Sequence, residues 1–172
     1  SVRRRAQLGR ARPDLESVAL RGNRATRRSK GPDGGAIVRA VAALEVLDLT
    51  DRIADVLDPA EFVPAVGQGC VAVECRDGDD TITDALAAID DADTRHEVLV
   101  ARAVLAELGS GCSLPIGAHA DSGRLFTFLA NFDSGITVSD TIELSDGDLA
   151  ADIELARRVA REAHDHVAAT GR

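Results

Sequence analysis

Three groups of residues have the types and spacing to do chemistry. Arg3, Arg4 and Arg5 are consecutive, Arg21 stands in the run LRGN, and Arg27 and Arg28 follow close behind. A guanidinium is a planar fork that takes a carboxylate or phosphate through two hydrogen bonds, which a lysine ammonium cannot copy. Several forks converging from a helix N-terminus and a nearby loop would clamp a polyanion, with the helix dipole adding to the attraction. The same arginines would also serve as a solvated basic face or an RNA-binding arm. Against the latter, aromatic residues make up 2% of the chain and Tyr and Trp are absent, so the usual stacking platforms for single-stranded nucleic acid are missing. The second group is VGQGCVAVECR, where Gly67 and Gly69 allow a close backbone approach and Gln68 offers an amide; a tight turn entering a strand is the plainer reading. The third is GSGCSLPIG, residues 109–117. A thiol such as Cys112, on a glycine-flanked loop behind a helix, is accessible to an electrophile, as a nucleophile must be. Without that setting a lone Cys is a small buried hydrophobe.

Composition bounds what these groups can belong to. The chain has 172 residues, 45% of them hydrophobic and 28% charged, the profile of one globular domain or two small ones. Its net charge of -9 conceals an asymmetry: residues 1–30 carry a balance of +8, so the remainder carries -17. An arginine cluster inside so acidic a chain calls for an anionic partner. The 19 Arg to one Lys, with abundant Asp, fit either a surface adapted to high salt or a coding bias. No apolar run is long enough for a membrane span and no signal peptide is recognisable. Three Cys without a CxxC pair point to free thiols in a reducing compartment. The four His are scattered, and no metal site is expected.

The elements that must position these groups can be read in order. RRRAQLGRAR (3–12) reads as a helix stopped by Pro13, and ESVALRGN as a short strand. Residues 24–30 read as a helical turn, and 36–49 as a strand running into a helix. Residues 51–57 read as a short amphipathic helix, with Pro59 and Pro64 bounding a loop. VGQGCVAVEC has a buried-strand pattern. Helices are expected over 81–89 and 94–108, the second with a stripe at Val98, Ala101, Leu105 and Leu108. Strands are expected over 125–130 and 135–144, around a turn at Asp133-Ser134-Gly135. A final amphipathic helix spans 148–169, with Ile153, Ala156, Val159, Ala160 and Ala163 on one face. Two pieces joined near 76–93 follow from this order.

Together SVRRRAQLGRARPDL, LRGNRATR, PAVGQGCVAVECR and GSGCSLPIGA resemble the porphobilinogen deaminases (hydroxymethylbilane synthases), in family order and at nearly family spacing. The resemblance covers essentially the whole chain but begins about two-fifths of the way into the family's length. It implies a cytoplasmic transferase of tetrapyrrole and heme biosynthesis, usually monomeric, without nucleic-acid or membrane partners. Porphobilinogen units are condensed head to tail, with release of ammonia, onto a dipyrromethane cofactor held by a cysteine thioether. Cys112 matches that cysteine. Ser1, Arg3 and Arg4 match cofactor-binding positions, and Arg21 and Arg27 substrate-binding ones. Porphobilinogen and the growing polypyrrole bring two carboxylates per ring, which answers the demand of the arginine cluster. The family's catalytic aspartate belongs to a preceding part, so no catalytic residue is identified here. Val46 stands where the family has a further substrate-binding Arg, Arg39 falls where it is apolar, and GPDGG is about two residues short. The implied fold is α/β: residues 1–63 as the remnant of a periplasmic-binding-protein-like second domain, 64–89 as a segment returning to the first domain, and 90–172 as a small α+β cofactor-anchoring domain with a short antiparallel sheet. The return segment would lack its sheet here, and the chain alone is expected to be inactive. The alternative is a non-catalytic carboxylate-binding remnant of the family.

Overall fold

The computed structural model describes residues 1–18, 35–109, 115–145 and 147–169. Helix α1 spans Val2–Ala11, α2 is the short Ala42–Glu45, and a 3-10 turn covers Thr50–Arg52. Helix α3 spans Asp80–Ala87 and α4 Ala92–Glu107. Strands β1 (Ile116–Asp121), β2 (Arg124–Ala130) and β3 (Thr137–Glu143) follow, and α5 (Leu149–Ala169) closes the order. The fold thus combines helices with a three-stranded antiparallel sheet in the order β1-β2-β3.

The strand β2 is central and buried on both faces, which its run RLFTFLA permits because both alternating sets are apolar apart from Thr127. On one face Leu125 packs with Ala118 and Ala120 of β1, Val100, Ala101 and Val104 of α4, and Ala156 and Ala160 of α5. Leu129 extends that face toward Ala163 and Val167. On the other face Phe126, Phe128 and Ala130 meet Ala6 of α1 and Val63. Full burial of a side chain such as Phe128, 1% exposed, contributes roughly 2–3 kcal/mol. The sheet therefore lies between the α4–α5 pair and the α1 helix.

Local signals account for the element ends. Asp91 caps α4 by accepting from the Thr94 N–H at 2.8 Å, and Asp79 caps α3 through the Ile82 N–H at 3.2 Å. Such carboxylate caps satisfy helix N–H groups that have no partner within the helix. Ser122 (φ 50°) and Gly123 (φ 73°) form the two-residue turn between β1 and β2, the pair of positive φ angles that matches strand twist in tight hairpins.

Several expectations are corrected. No strand forms within residues 35–49, where only α2 is regular, and 51–57 holds no helix beyond the 3-10 turn. The described part of the ESVALRGN stretch, residues 16–18, is not a strand, and its remainder lies outside the described residues, as does 24–30. VGQGCVAVEC is neither paired nor buried: Val71 is 86% and Val73 55% exposed. These segments have strand-like composition, but a strand forms only where a neighbour accepts its ladder, and none does here. Conversely β1 was not expected; its Gly, Ala and His residues have weak strand propensity, and only the Asp121-Ser122-Gly123 turn marked it.

Helices α4 and α5 are joined by a polar contact at their buried edge. Asp152, fully buried, accepts from the Ser145 hydroxyl at 2.7 Å, the Ser145 N–H at 2.7 Å and His96 Nε2 at 2.8 Å. Burial would raise this carboxyl, but the bonds from Ser145 and then His96 outweigh it and hold it below the ordinary 3.8. A carboxyl depressed by folding stabilises the native state above its unfolded pKa and ceases to do so as pH falls through the folded value. Asp152→Ala is expected to destabilise the fold by about 1–3 kcal/mol, since it leaves three part-buried donors without their acceptor. Asp152→Asn should flatten the loss of stability below pH 3.8. Urea unfolding followed by circular dichroism at neutral pH and in that acid range checks both; an unchanged acid slope in Asp152→Asn would contradict the assignment.

Candidate functional site

Helix α1 brings the first arginines to the sheet. Ser1 is its N-cap, the hydroxyl oxygen accepting from the Arg4 N–H at 3.4 Å. The three arginines then diverge, because successive helical residues point about 100° apart. Arg3 turns inward and is buried at 6% exposure, its Nη1 donating to the Val63 carbonyl and its Nη2 to Gln68 Oε1 at 3.3 Å. Burial, and then repulsion from Arg4, pull its guanidinium below the usual arginine range, down to about 10. It stays charged at neutral pH. Arg4 is half-buried and donates to the Val38 carbonyl at 3.2 Å. Arg5 is exposed and lies over the Phe132 ring, 5.7 Å from its centroid.

Sequence reasoning assigned no role to Gln7, one turn further along. It is 1% exposed, and both ends of its amide are bonded to the backbone of one residue, Val63. Nε2 donates to the Val63 carbonyl at 3.0 Å, and Oε1 accepts the Val63 N–H at 2.6 Å. Val63 in turn touches β1. A Cβ placed on Gly117 would lie 3.0 Å from the Val63 carbonyl oxygen, 3.0 Å from Val63 Cγ1 and 3.0 Å from the Pro64 carbonyl oxygen. Gly117 pairs with Phe128 and so points to the α1 side of the sheet. Only a residue without a side chain leaves room there for residues 63–64. The signal in the sequence was the polar Gln7 at helical spacing from Arg3, on the side that also carries Ala6.

A second link between α1 and the sheet lies at its C-terminal end. Arg10 donates to the Ser139 hydroxyl and lies over the Phe128 ring, 5.4 Å from its centroid. Beside it a cleft of about 530 Å³ is bounded by Arg5, Arg10, Leu15, Glu16, Asn131 and Phe132 among others. Arg21, Arg27 and Cys112 lie outside the described residues. Ser1, Arg3 and Arg4 are together in the first turn of α1, and β1 begins four residues after Cys112. Val46 is 79% exposed, on the segment where the resemblance placed a further arginine. Among the described residues no helix is long and apolar enough to cross a membrane.

Comparison with known proteins gives two successive family matches. Residues 1–84 match the porphobilinogen deaminase dipyromethane cofactor binding domain, and residues 96–165 match the porphobilinogen deaminase C-terminal domain. The chain is 40% identical over 166 residues to a porphobilinogen deaminase of Trichlorobacter lovleyi, an alignment covering 92% of this chain and 53% of that protein. It is 40% identical over 148 residues to one of Syntrophotalea carbinolica, covering 83% and 47% respectively. It is 46% identical over 139 residues to one of Mycobacterium leprae, covering 76% and 44%. The chain thus spans about half the length of these relatives.

The tight approach at Gly117 generates a prediction. Gly117→Ala must displace two backbone carbonyls rather than a flexible side chain, and should cost about 1–3 kcal/mol, as overpacking does. Thermal unfolding by circular dichroism measures it. An unshifted midpoint would mean that Val63 does not rest on β1.

Proposed function

The chain belongs to the porphobilinogen deaminase family, and from that premise we propose that it supplies the cofactor-anchoring and carboxylate-binding parts of a hydroxymethylbilane synthase. Its substrates are porphobilinogen and the growing polypyrrole. One observation carries the reading from geometry: Val63 is held by α1 on one side and lies against β1 on the other. The helix bearing Arg3 and Arg4 is thereby brought beside the strand that starts just past Cys112.

The residues present suit a dipyrromethane. Its carboxylates call for guanidinium forks and helix N–H groups, and the first turn of α1 offers Arg4, Arg5 and a capped N-terminus with no acidic residue in it. Arg3, as placed, braces Val63 and Gln68; it contributes positive potential rather than a free fork. Arg21 and Arg27 would take the carboxylates of incoming units. Cys112 would hold the group as a thioether. When bound, that group supplies the primer on which pyrrole units accumulate before release.

The proposed organisation is a periplasmic-binding-like remnant over 1–63, a return segment over 64–89 and an anchoring module over 90–172; the gap between the two family matches at 85–95 supports the last of these divisions. The exposed, unpaired Val71 and Val73 support a further reading. The 172-residue chain by itself does not turn porphobilinogen over, because among the described residues a segment patterned as a strand has no sheet to complete. The same observation favours the second reading, a non-catalytic carboxylate-binding remnant.

Two experiments test this. In the chain joined to the N-terminal part of a relative, Cys112→Ala should abolish the covalent mass increase of dipyrromethane, whereas Cys70→Ala should retain it; cofactor mass persisting on Cys112→Ala sinks the anchor assignment. In the same protein, Arg21→Leu or Arg27→Leu should slow elongation roughly ten- to hundred-fold, the loss of one charge-assisted fork worth about 1.5–3 kcal/mol. Turnover within about twofold of the parent in both would count against the clamp. For the unjoined chain, steady porphyrin formation from porphobilinogen above a protein-free control would overturn the claim of inactivity.

A further inference from the structure

We propose that Gln7 is the positioning residue of this site: by bonding both the N–H and the C=O of Val63, it sets the distance between the arginine-bearing helix and the strand that follows Cys112. The inference rests on the functional reading above but concerns a residue that touches neither cofactor nor substrate in it.

The geometry is that of a strand pairing reproduced by a side chain. A primary amide presents one donor and one acceptor, the complement of a backbone N–H and C=O. Gln7 uses both on a single residue, at 3.0 Å and 2.6 Å. The Val63 carbonyl also accepts from Arg3, so both of its lone pairs are engaged. Gln7 and Val63 are each 1% exposed. In such a setting water cannot replace a lost partner, and an unmatched N–H or C=O costs its full desolvation penalty. The register is therefore strict: sliding α1 along Val63 by one residue would leave buried polar groups unmatched on both sides.

Apolar packing alone would not impose this. The contacts on this face are made by Ala6, Val63, Phe126, Phe128 and Ala130, and a small alanine against aromatic faces tolerates sliding. Gly117 completes the device by letting the 63–64 backbone approach β1 to within 3.0 Å of where a Cβ would be. Residues 7, 63 and 117, far apart in the chain, thus meet at one point. A rearrangement that moves the clamp relative to the anchor as the bound chain lengthens must either carry Val63 along or break the amide pair.

The test measures position separately from stability. Nitroxide labels are placed at Gly9→Cys on α1 and Arg158→Cys on α5, in a chain whose Cys70, Cys75 and Cys112 are replaced by Ser. Gly9 has open space around it and Arg158 is exposed. Electron–electron resonance then gives the distance distribution. Gln7→Leu, which removes both bonds at similar volume, should broaden that distribution by about twofold or more, because the buried Val63 N–H loses its acceptor and the carbonyl keeps only Arg3. Gln7→Glu, which keeps only the acceptor, should fall between. Val167→Ala, which destabilises α5 without touching Val63, should keep the parent distribution. A folded Gln7→Leu chain with the parent's mean and width overturns the proposal, and where Gln7→Leu does not fold, the same outcome in Gln7→Glu overturns it. Equal broadening in Val167→Ala would also overturn it, by showing that the distance follows stability alone. None of these readings depends on cofactor or turnover, so a failure of the functional assignment at Cys112 would be seen separately.

Discussion

The arrangement depends on the backbone of one buried residue. Val63 has its N–H and C=O satisfied by a side chain, Gln7, instead of by a strand or helix, and Arg3 supplements the carbonyl. Burial of a backbone segment outside regular structure is permitted only when each polar group finds a partner. Here that requirement joins parts of the molecule that have no sequence proximity. The α1 helix, the loop ahead of Gly67 and the first strand of the C-terminal module are brought together because Val63 has nowhere else to place its hydrogen bonds.

The sheet provides the rigid side of this contact. β2 is buried on both faces, with α4 and α5 covering one and α1 the other. The Asp152 carboxylate keeps α4 and α5 in register through His96 and Ser145. Gly117 lies on β1, opposite Phe128 of the central strand β2, which backs the surface on which Val63 rests. By contrast, residues 71–75 pair with no strand among the described residues, and Val71 and Val73 are exposed. The molecule therefore pairs a well-packed C-terminal module with an N-terminal part whose regular structure, among the described residues, is largely α1.

Much of the C-terminal module was legible in the sequence because its signals are local. The periodicity of α4 and α5 and the alternation of β2 and β3 predict those elements to within two or three residues. The strand β1 was missed because small residues dominate it, for a reason visible only in three dimensions: Gly117 must be small to admit Val63. The stretch over 36–49 reads as a strand running into a helix, and 66–75 as a strand, from composition. Strand formation needs a partner that local composition does not report. At the site, the arginines were recognisable as a group, but the inward turn of Arg3 was not. It follows from burial against Val63, and Gln7 looked like an ordinary polar residue on a helix. The family motifs identified Cys112, Arg21 and Arg27 where local physics could offer only an accessible thiol and a basic cluster.

The charge distribution fits the same account. A strongly acidic chain keeps a net positive balance only in its first 30 residues, the region that carries the clamp, and an approaching polycarboxylate is drawn there rather than to the remaining surface. The most direct measurement of the central claim is a titration of the isotope-labelled chain with porphobilinogen, followed residue by residue by magnetic resonance. The account predicts saturable shifts at Arg4 and Arg5 on α1 together with shifts at Ile116 and Gly117 on β1, since one ligand would lie against both. Shifts confined to α3 and α4, or none at millimolar ligand, would contradict it.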